Sequence, residues 1–460
     1  MTDPETSKIL SSIEYRLKEN RISWVQCQFT DISGRLRSFT ISADQLYADS
    51  PFWEEGMIID GSSVGFAATE DSDLLALPDP RTFNIFPYEA ELPEPQRTAR
   101  IICGLHSPTT LKPHPLDPRG VAMRAFEELR SMGYTKAWLQ PELEFFLLPS
   151  NWRESESFPG PYPILPKLGY FASPPQDITD EFRNEFSYYL RRMGLNIKFH
   201  HHEGGVHQVE IEFRHRPSPV DAGDAAILYK FLSRIVAGRR GFIVSYIPKI
   251  SSTDAGNGMH VHLWLEKKGG SAFRDETHPL GLSRDALSFI AGVLEHAREI
   301  SAITNPTINS YKRLIPEFEA PVYLCWGPRN RTALIRVPGS KKKNRVGDIE
   351  VRNPDPSSNP YLTFAAILWA GMDGVRRGLE PLEMIKGDPN KMSEEERRKM
   401  GIKRLPGNLE EAIEEFSSSE LMRKRFGREF VDTYVEMKRR EVLDYKISIS
   451  PWEIERYFDV

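Results

Sequence analysis

The segment His200-His201-His202-Glu203-Gly204-Gly205-Val206-His207-Gln208-Val209-Glu210-Ile211-Glu212-Phe213 ends in a strand pattern with two unlike faces. Successive side chains of a strand point to opposite sides. Val209, Ile211 and Phe213 therefore share one face, and Gln208, Glu210 and Glu212 the other. Three more segments repeat the pattern. In Pro141-Glu142-Leu143-Glu144-Phe145-Phe146, Glu142 and Glu144 oppose Leu143 and Phe145. In Met259-His260-Val261-His262-Leu263-Trp264-Leu265, His260 and His262 oppose Met259, Val261, Leu263 and Leu265. In Gly347-Asp348-Ile349-Glu350-Val351-Arg352, Asp348, Glu350 and Arg352 oppose Ile349 and Val351.

One such segment alone is most simply a sheet strand with one face in water. Four are harder to explain that way, because lysine is absent from all four polar faces and like charges standing opposite one another are unfavourable. Such a face needs cations to hold it together. Oxygen ligands with an occasional imidazole suit Mg²⁺ or Mn²⁺ better than zinc, which prefers cysteine and several histidines. The spacing predicts a divalent-metal site on the polar face of one sheet.

The whole chain narrows the classes. With 460 residues it is long enough for two or three domains. A hydrophobic fraction of 40% and a mean hydropathy of -0.45 describe a globular protein, and no run of about 18 apolar residues is available to span a bilayer. Met1 to Asn20 is polar and helix-like, without the apolar stretch of a secretory signal. Cys27, Cys103 and Cys325 are odd in number and far apart, which argues against a disulfide framework. A cytoplasmic location is expected. The net charge of -5 gives no general reason to expect nucleic acid. The basic run Lys341-Lys342-Lys343, with Arg345, lies in a Gly/Ser-rich connection and reads equally as a solvated loop or a phosphate contact.

Residues 5 to 20 read as an amphipathic helix, and Ile22 to Phe29 with Arg35 to Ile41 as a hairpin turning at Asp31 to Gly34. Gly56 to Phe66 is a short apolar run ending in a Gly/Ser loop. Pro-rich sequence between Pro78 and Pro118 sets the end of a first domain near residue 105 to 115. Asp117-Pro118 opens a helix that ends before Gly133. Helical patterns recur at Asp177 to Met193, Asp221 to Val236, Ser283 to Ile303, Asn359 to Val375, Leu409 to Phe416 and Glu420 to Arg440. Helices would cover the apolar side of the sheet while its acidic side lines a cavity.

A basic group follows late in the chain: Lys312 and Arg313 in a loop-like segment, then Arg329, Arg331 and Arg336. Beside an acidic metal face, guanidinium groups can neutralise a transferring phosphoryl group and grip a carboxylate. No Walker-type loop is present, so a nucleotide would be held another way.

Taken in order, these segments resemble glutamine synthetase of the prokaryotic type I class over nearly the whole chain. The resemblance rests on Asp60-Gly61-Ser62-Ser63, Pro141 to Phe146, Gly258-Met259-His260-Val261-His262, Asn309-Ser310-Tyr311-Lys312-Arg313, Asn330-Arg331, Ile349 to Pro356 and the final Pro451 to Phe458. It implies an α+β fold, with a small N-terminal β-grasp domain (1–110) followed by a large catalytic domain (111–460). The catalytic domain would carry an antiparallel, polar-faced sheet backed by helices. It also implies self-association into two stacked hexameric rings, a dodecamer, with active sites between neighbouring subunits. By motif, Glu144, Glu203 and Glu210 would hold one Mg²⁺ or Mn²⁺, and Glu142, His260 and Glu350 a second. Gly256, Arg313, Glu319, Arg331 and Arg352 would bind glutamate, and His262, Arg331, Arg336 and Arg345 would bind ATP. Asp60, Ser63, Tyr170, Glu203 and Glu319 would form an ammonium pocket. Asp60, reaching across the subunit boundary, would take a proton from ammonium. Arg331 would stabilise the transferring phosphoryl group, and Glu319 would close the site on a flap.

The implied reaction joins glutamate and ammonia through a γ-glutamyl phosphate at the expense of ATP. Two alternatives stand beside it: a γ-glutamyl-amine ligase acting on a mono- or polyamine, and a catalytically silent ring-forming scaffold or sensor. Departures from the family pattern fall mainly on the nucleotide and glutamate contacts. Ala255 stands where an amide is usual, and His207 where a glycine is usual. Lys198 replaces an acidic residue, His215 an aromatic one, Trp264 a serine, Arg345 a lysine and Asp348 an arginine. Gly387 to Pro406 contains no tyrosine, so control by adenylylation is expected to be absent.

Overall fold

The protein is described by a computed structural model covering residues 4–67, 69–89, 93, 96–151, 168–316, 320–339 and 347–460. After a helix at Pro4–Glu19 come five strands: β1 (Trp24–Thr30), β2 (Leu36–Ser42), β3 (Met57–Asp60), β4 (Asp73–Ile85) and β5 (Thr98–His106). They form one sheet in the order β2-β1-β5-β4-β3. β1 and β5 run parallel and the other neighbours antiparallel. The expected hairpin is β1–β2, with Gly34 at φ +86° in the turn. Only a residue without a Cβ adopts that conformation easily.

The second sheet has nine strands: β6 (Tyr134–Pro149), β7 (Ile197–His202), β8 (Gln208–Phe213), β9 (Phe242–Ser245), β10 (Met259–Lys267), β11 (Gly270–Ser271), β12 (Trp326–Pro328), β13 (Ile335–Val337) and β14 (Ile349–Val351). Its main path is β12-β13-β14-β10-β6-β8-β7, antiparallel throughout except for β12 with β13. All four segments singled out in the sequence are neighbours in this path. Their apolar residues, Leu143, Phe145, Val209, Ile211, Phe213, Met259, Val261, Leu263, Leu265, Ile349 and Val351, are buried. The helix Pro219–Arg239 covers that side, with its Tyr229 ring 6.0 Å from Phe145 and 6.2 Å from Phe213.

The helix Pro118–Ser131 starts as its sequence dictates, with the Asp117 side chain accepting from the backbone of Arg119 and Gly120. Two expected helices are broken. Glu420 to Arg440 divides into Glu420–Phe426 and Arg428–Ile447 because Gly427 sits at φ +92°, outside helical geometry. Ser283 to Ile303 divides into Arg284–His296 and Ser301–Thr304.

The two sheets are tied through buried polar contacts. Asn359 caps the helix Pro360–Arg377 and also donates to the carbonyls of Asp31 (3.1 Å) and Ile32 (3.4 Å) in the β1–β2 turn. Arg119 bridges Asp79 on β4 (2.9 Å) and Asp224 (3.0 Å). Both contacts hold the first domain against the helical backing of the second.

The helices Arg284–His296 and Pro360–Arg377 meet backbone to backbone. A Cβ on Gly374 would lie 2.1 Å from the Ser288 carbonyl oxygen. Gly374→Val is therefore expected to cost about 3 kcal/mol through overpacking, read as a lower denaturant midpoint. Gly238→Ala, where an added Cβ meets nothing within 4 Å, should leave the midpoint unchanged or slightly raised. Equal midpoints for wild type and Gly374→Val would contradict this packing.

Candidate active site

The register of the second sheet assembles the site. His260 pairs with Glu142, Glu144 with Glu210, His201 with Glu210, His262 with Glu350, and Arg336 with Glu350. Cross-strand partners share a face, so five strands deliver their carboxylates and imidazoles to one side. That side floors a cleft of about 420 Å³ walled by Tyr170, Gly256, Arg313, Arg331, Arg336 and Arg352.

Among the described residues, three triplets bring ligand atoms within 4.8 Å of one another: Glu142, His260 and Glu350; His201, Glu203 and Glu210; and Glu142, Glu210 and Glu212. The first is the expected set. The second contains His201 in place of Glu144. His201 lay in the opening stretch of the sequence, but only the pairing of β7 with β8 shows that it faces the carboxylates. In the first set the His260 Nδ1 lies 3.6 Å from Glu142 and 3.7 Å from Glu350. In the second, His201 Nδ1 lies 3.8 Å from Glu203 and its Nε2 3.7 Å from Glu210. These separations are too long for hydrogen bonds and fit donor atoms grouped around a shared position. Burial holds the imidazoles of His260 and His201 down to about 4. Both are neutral near pH 7, the form that ligates a metal.

One oxygen of Glu144 accepts from the Gly258 amide (2.8 Å) and from Gln208 (3.2 Å), while the other lies 3.8 Å from His260 Nδ1. Gln208 also donates to Asn257 Oδ1 (2.9 Å) and the Gly256 carbonyl (3.1 Å). Sequence reasoning passed over this anchor between the acidic strand and the Gly256 turn. His207, where the family pattern has glycine, adopts φ +54°, a left-handed conformation that strains a residue with a Cβ.

The carboxylates do not share one charge state. Burial pushes Glu350 up, but Arg352, His262 and His260 overcome it and hold it at about 2. Burial likewise opposes ionisation of Glu142, and His262 with His260 brings it well below the ordinary range. Burial and Glu203 raise Glu144 to about 8. Burial and the charges of Glu142, Glu144 and Glu203 push Glu210 well above its usual value.

The arginines are engaged. Arg352 and Arg336 both donate to Glu350. Arg313 donates to the carbonyls of Asn353 (2.8 Å) and Arg352 (3.2 Å), and an added Cβ on Gly256 would lie 3.0 Å from its Cγ. Arg331 lies 6.0 Å over the Tyr170 ring. Asp60 and Ser63 are not in the cleft: they sit on the first domain, where Asp60 accepts from Ser62 and Ser63. Those bonds hold the Asp60 carboxyl down to about 2. Glu319 and Arg345 lie outside the described residues.

The departures cluster at the rim. Asp348 binds His262 Nδ1 (2.9 Å), whose Nε2 lies 3.0 Å from Glu142. Lys198 pairs with Glu212 at 2.5 Å. Trp264 stacks on Trp138 at 5.7 Å and meets His215 at 4.3 Å.

Comparison with known proteins places this arrangement. A family model described as the glutamine synthetase catalytic domain matches residues 115–457, and one described as the glutamine synthetase β-grasp domain matches residues 21–108. The chain belongs to the glutamine synthetase family. It is 37% identical to a glutamine synthetase of Archaeoglobus fulgidus, covering 96% of each chain. It is 36% identical to one of Thermotoga maritima, covering 97% of this chain and 99% of the relative. The solved structure titled "GmaS/ADP complex-Conformation 1" superposes with a TM-score of 0.85 at 26% identity, covering 98% of this chain and all of that one. Family membership makes the protein an ATP-dependent ligase with the expected α+β architecture. Family members generally use divalent metal ions and ATP, and the donor sets of this cleft suit such ions. No helix among the described residues is long and apolar enough to cross a membrane.

The trapped protons give a sign. A carboxyl whose folded value is raised from 4.5 to about 8 binds a proton that the unfolded chain releases. Metal-free stability should therefore fall as pH rises through that window. The melting temperature without divalent metal is expected to drop from about pH 6 to about pH 8, and added Mg²⁺ should raise it more at the higher pH. A metal-free protein that melts higher at the higher pH would overturn this charge distribution.

Proposed function

We propose that the protein forms an amide between the side-chain carboxylate of glutamate and ammonia, with ATP supplying a γ-glutamyl phosphate intermediate. The observation that carries this reading is the cleft itself: a floor of carboxylates and imidazoles facing Arg313, Arg331, Arg336 and Arg352. Two divalent ions would be held by Glu142, His260 and Glu350, and by Glu203 and Glu210 with Glu144 or His201. Bound there, such ions supply charge neutralisation for phosphoryl transfer from ATP.

The chain's own groups account for the rest. Arg313 and Arg352, fixed by backbone carbonyls and Glu350, would orient the glutamate carboxylate. Arg331, which has no carboxylate partner among the described residues apart from long-range attraction to Glu350 and Glu203, would neutralise charge on the phosphoryl group as it moves to the γ-carboxylate oxygen. His262 and Arg336 would contact ATP, joined by Arg345. Ammonia then attacks the acyl carbon and phosphate leaves. Tyr170 and Glu203 would receive the ammonium, with Glu319 closing over it.

Asp60 and Ser63 complete that pocket only from a neighbouring subunit. Asp60 is exposed and ionised, away from its own cleft, as a residue serving the next active site would be. This agrees with assembly into hexameric rings, most simply a dodecamer.

A second reading, a γ-glutamyl-amine ligase, is favoured by the likeness to the GmaS structures at TM-scores of 0.85 and 0.83. The two readings separate by product mass when ammonium is compared with a panel of alkyl amines in the presence of glutamate, ATP and Mg²⁺. Glutamine from ammonium is the expected outcome; product from alkyl amines alone would decide for the second reading. Glu350→Ala should abolish phosphate release in either case. Asp60→Ala should slow the ammonium reaction by about 10² or more, the usual worth of a general base. Hydroxylamine, already neutral at working pH, should largely escape that loss.

A further inference from the structure

A second cavity, of about 1000 Å³, lies where the two domains meet, away from the catalytic cleft. The β1–β2 turn contributes Arg35, the helix Pro219–Arg239 contributes Lys230 and Arg234, and the helix Arg428–Ile447 contributes Lys438. These four cations face one lining carboxylate, Glu441, and Lys438 already pairs with it at 2.8 Å.

Lys230 is the unusual member. It is 7% exposed, and among the described residues its ammonium donates to one acceptor, the Ser358 carbonyl at 3.2 Å. An ammonium carries three donors, and a buried charge without a counter-ion is costly. The carboxylate that acts on it from a distance, Asp355, is occupied by Asn305 and Ser357. Arg234, itself exposed to solvent, adds a second positive charge. Its guanidinium lies 5.2 Å from the Tyr246 ring, the Lys230 ammonium lies 5.7 Å from the same ring, and its own hydrogen bond goes to the Lys230 carbonyl at 3.1 Å. Two cations thus share one aromatic ring and have no ion-pair partner in the cavity.

We propose that this cavity is a second ligand site, built for a small anion bearing carboxylate or phosphate groups. The anion would take the free donors of Lys230 and the guanidinium of Arg234, and Arg35 would reach it from the first domain. Burial, reinforced by Arg234, holds the Lys230 ammonium down to about 7 without such a partner. An anion drawing on both domains would also tie them together, beside the Asn359 contacts to the β1–β2 turn, because Asn359 lines the same cavity.

The test is calorimetric titration of the full-length protein with Mg²⁺, a non-hydrolysable ATP analogue and glutamate present to fill the catalytic cleft. Inorganic phosphate and succinate serve separately as probes, on wild type, Lys230→Met and Arg234→Gln. Saturable binding of at least one probe to wild type, weakened ten-fold or more in both variants while ligase turnover is kept, is the expected result. Lys230→Met should also melt higher than wild type in anion-free buffer, because it removes an unpaired buried charge and keeps the volume. Indistinguishable isotherms in wild type and variants would overturn the proposal. So would a flat wild-type isotherm accompanied by a smaller assembly mass for Lys230→Met in light scattering, which would assign the cavity to acidic groups of a second copy of the chain.

Discussion

The structure depends on keeping several carboxylates together on one face of a sheet whose other face is sealed in the apolar core. Charges cannot gather in a buried place unless each is paired or neutralised. The protein does both. Glu142 and Glu350 stay ionised beside His262, His260 and Arg352, while Glu144 and Glu210 are driven toward the protonated form. The sheet can tolerate this because alternation along each strand keeps the charged and apolar groups apart. Leu143 and Phe145 lie in the core while Glu142 and Glu144, their chain neighbours, face the cleft.

Much of this was legible in the sequence for a local reason. Alternation with period two is written in every strand, so the polar faces of β6, β8, β10 and β14 could be read before any pairing was known. Helix starts at Asp117 and Asn359 were equally local, being capping residues followed by proline. Register is not local. That His201 stands opposite Glu210, and so beside Glu203, follows from how β7 pairs with β8, which no pattern within either strand reveals. The same holds for Arg119 between Asp79 and Asp224 and for Asn359 on the β1–β2 turn, contacts joining residues far apart in sequence. Gly427 shows the converse: a single glycine between two helical patterns carried a break that periodicity alone smoothed over.

Arginine placement shows a different limit. Sequence order gathered Lys312, Arg313, Arg329, Arg331 and Arg336 as one basic group, of which Arg313, Arg331 and Arg336 line the cleft, joined there by Arg352 from the strand pattern of β14. Their present partners separate their tasks. Arg313 and Arg352 are fixed by backbone carbonyls and Glu350; in the proposed reaction they would orient a ligand with little further loss of freedom. Arg331 rests over Tyr170 and is exposed; in the proposed reaction it would keep the freedom to follow the group that moves.

The departures from the family pattern become coherent when their charges are placed on the sheet. By the resemblance drawn from the sequence, Asp348 would stand where the pattern has a base, and Lys198 where it has an acid. Each exchange changes the cleft by two charges, in opposite directions, so together they leave its total unaltered. Asp348 immediately precedes β14 and Lys198 lies on β7, with β10, β6 and β8 between them. A cation has in effect been moved across the sheet. Each newcomer is paired where it stands, Lys198 with Glu212 at 2.5 Å and Asp348 with His262 at 2.9 Å. The pairing at Asp348 raises His262 well above its ordinary value despite burial, which returns a positive charge to the side that lost its arginine. Phosphoryl transfer depends on the charge around the reacting group, and the raised His262 adds a positive charge beyond what the two exchanges alone would leave. Recognition depends on where each charge sits, and it is there that this chain differs from the family pattern.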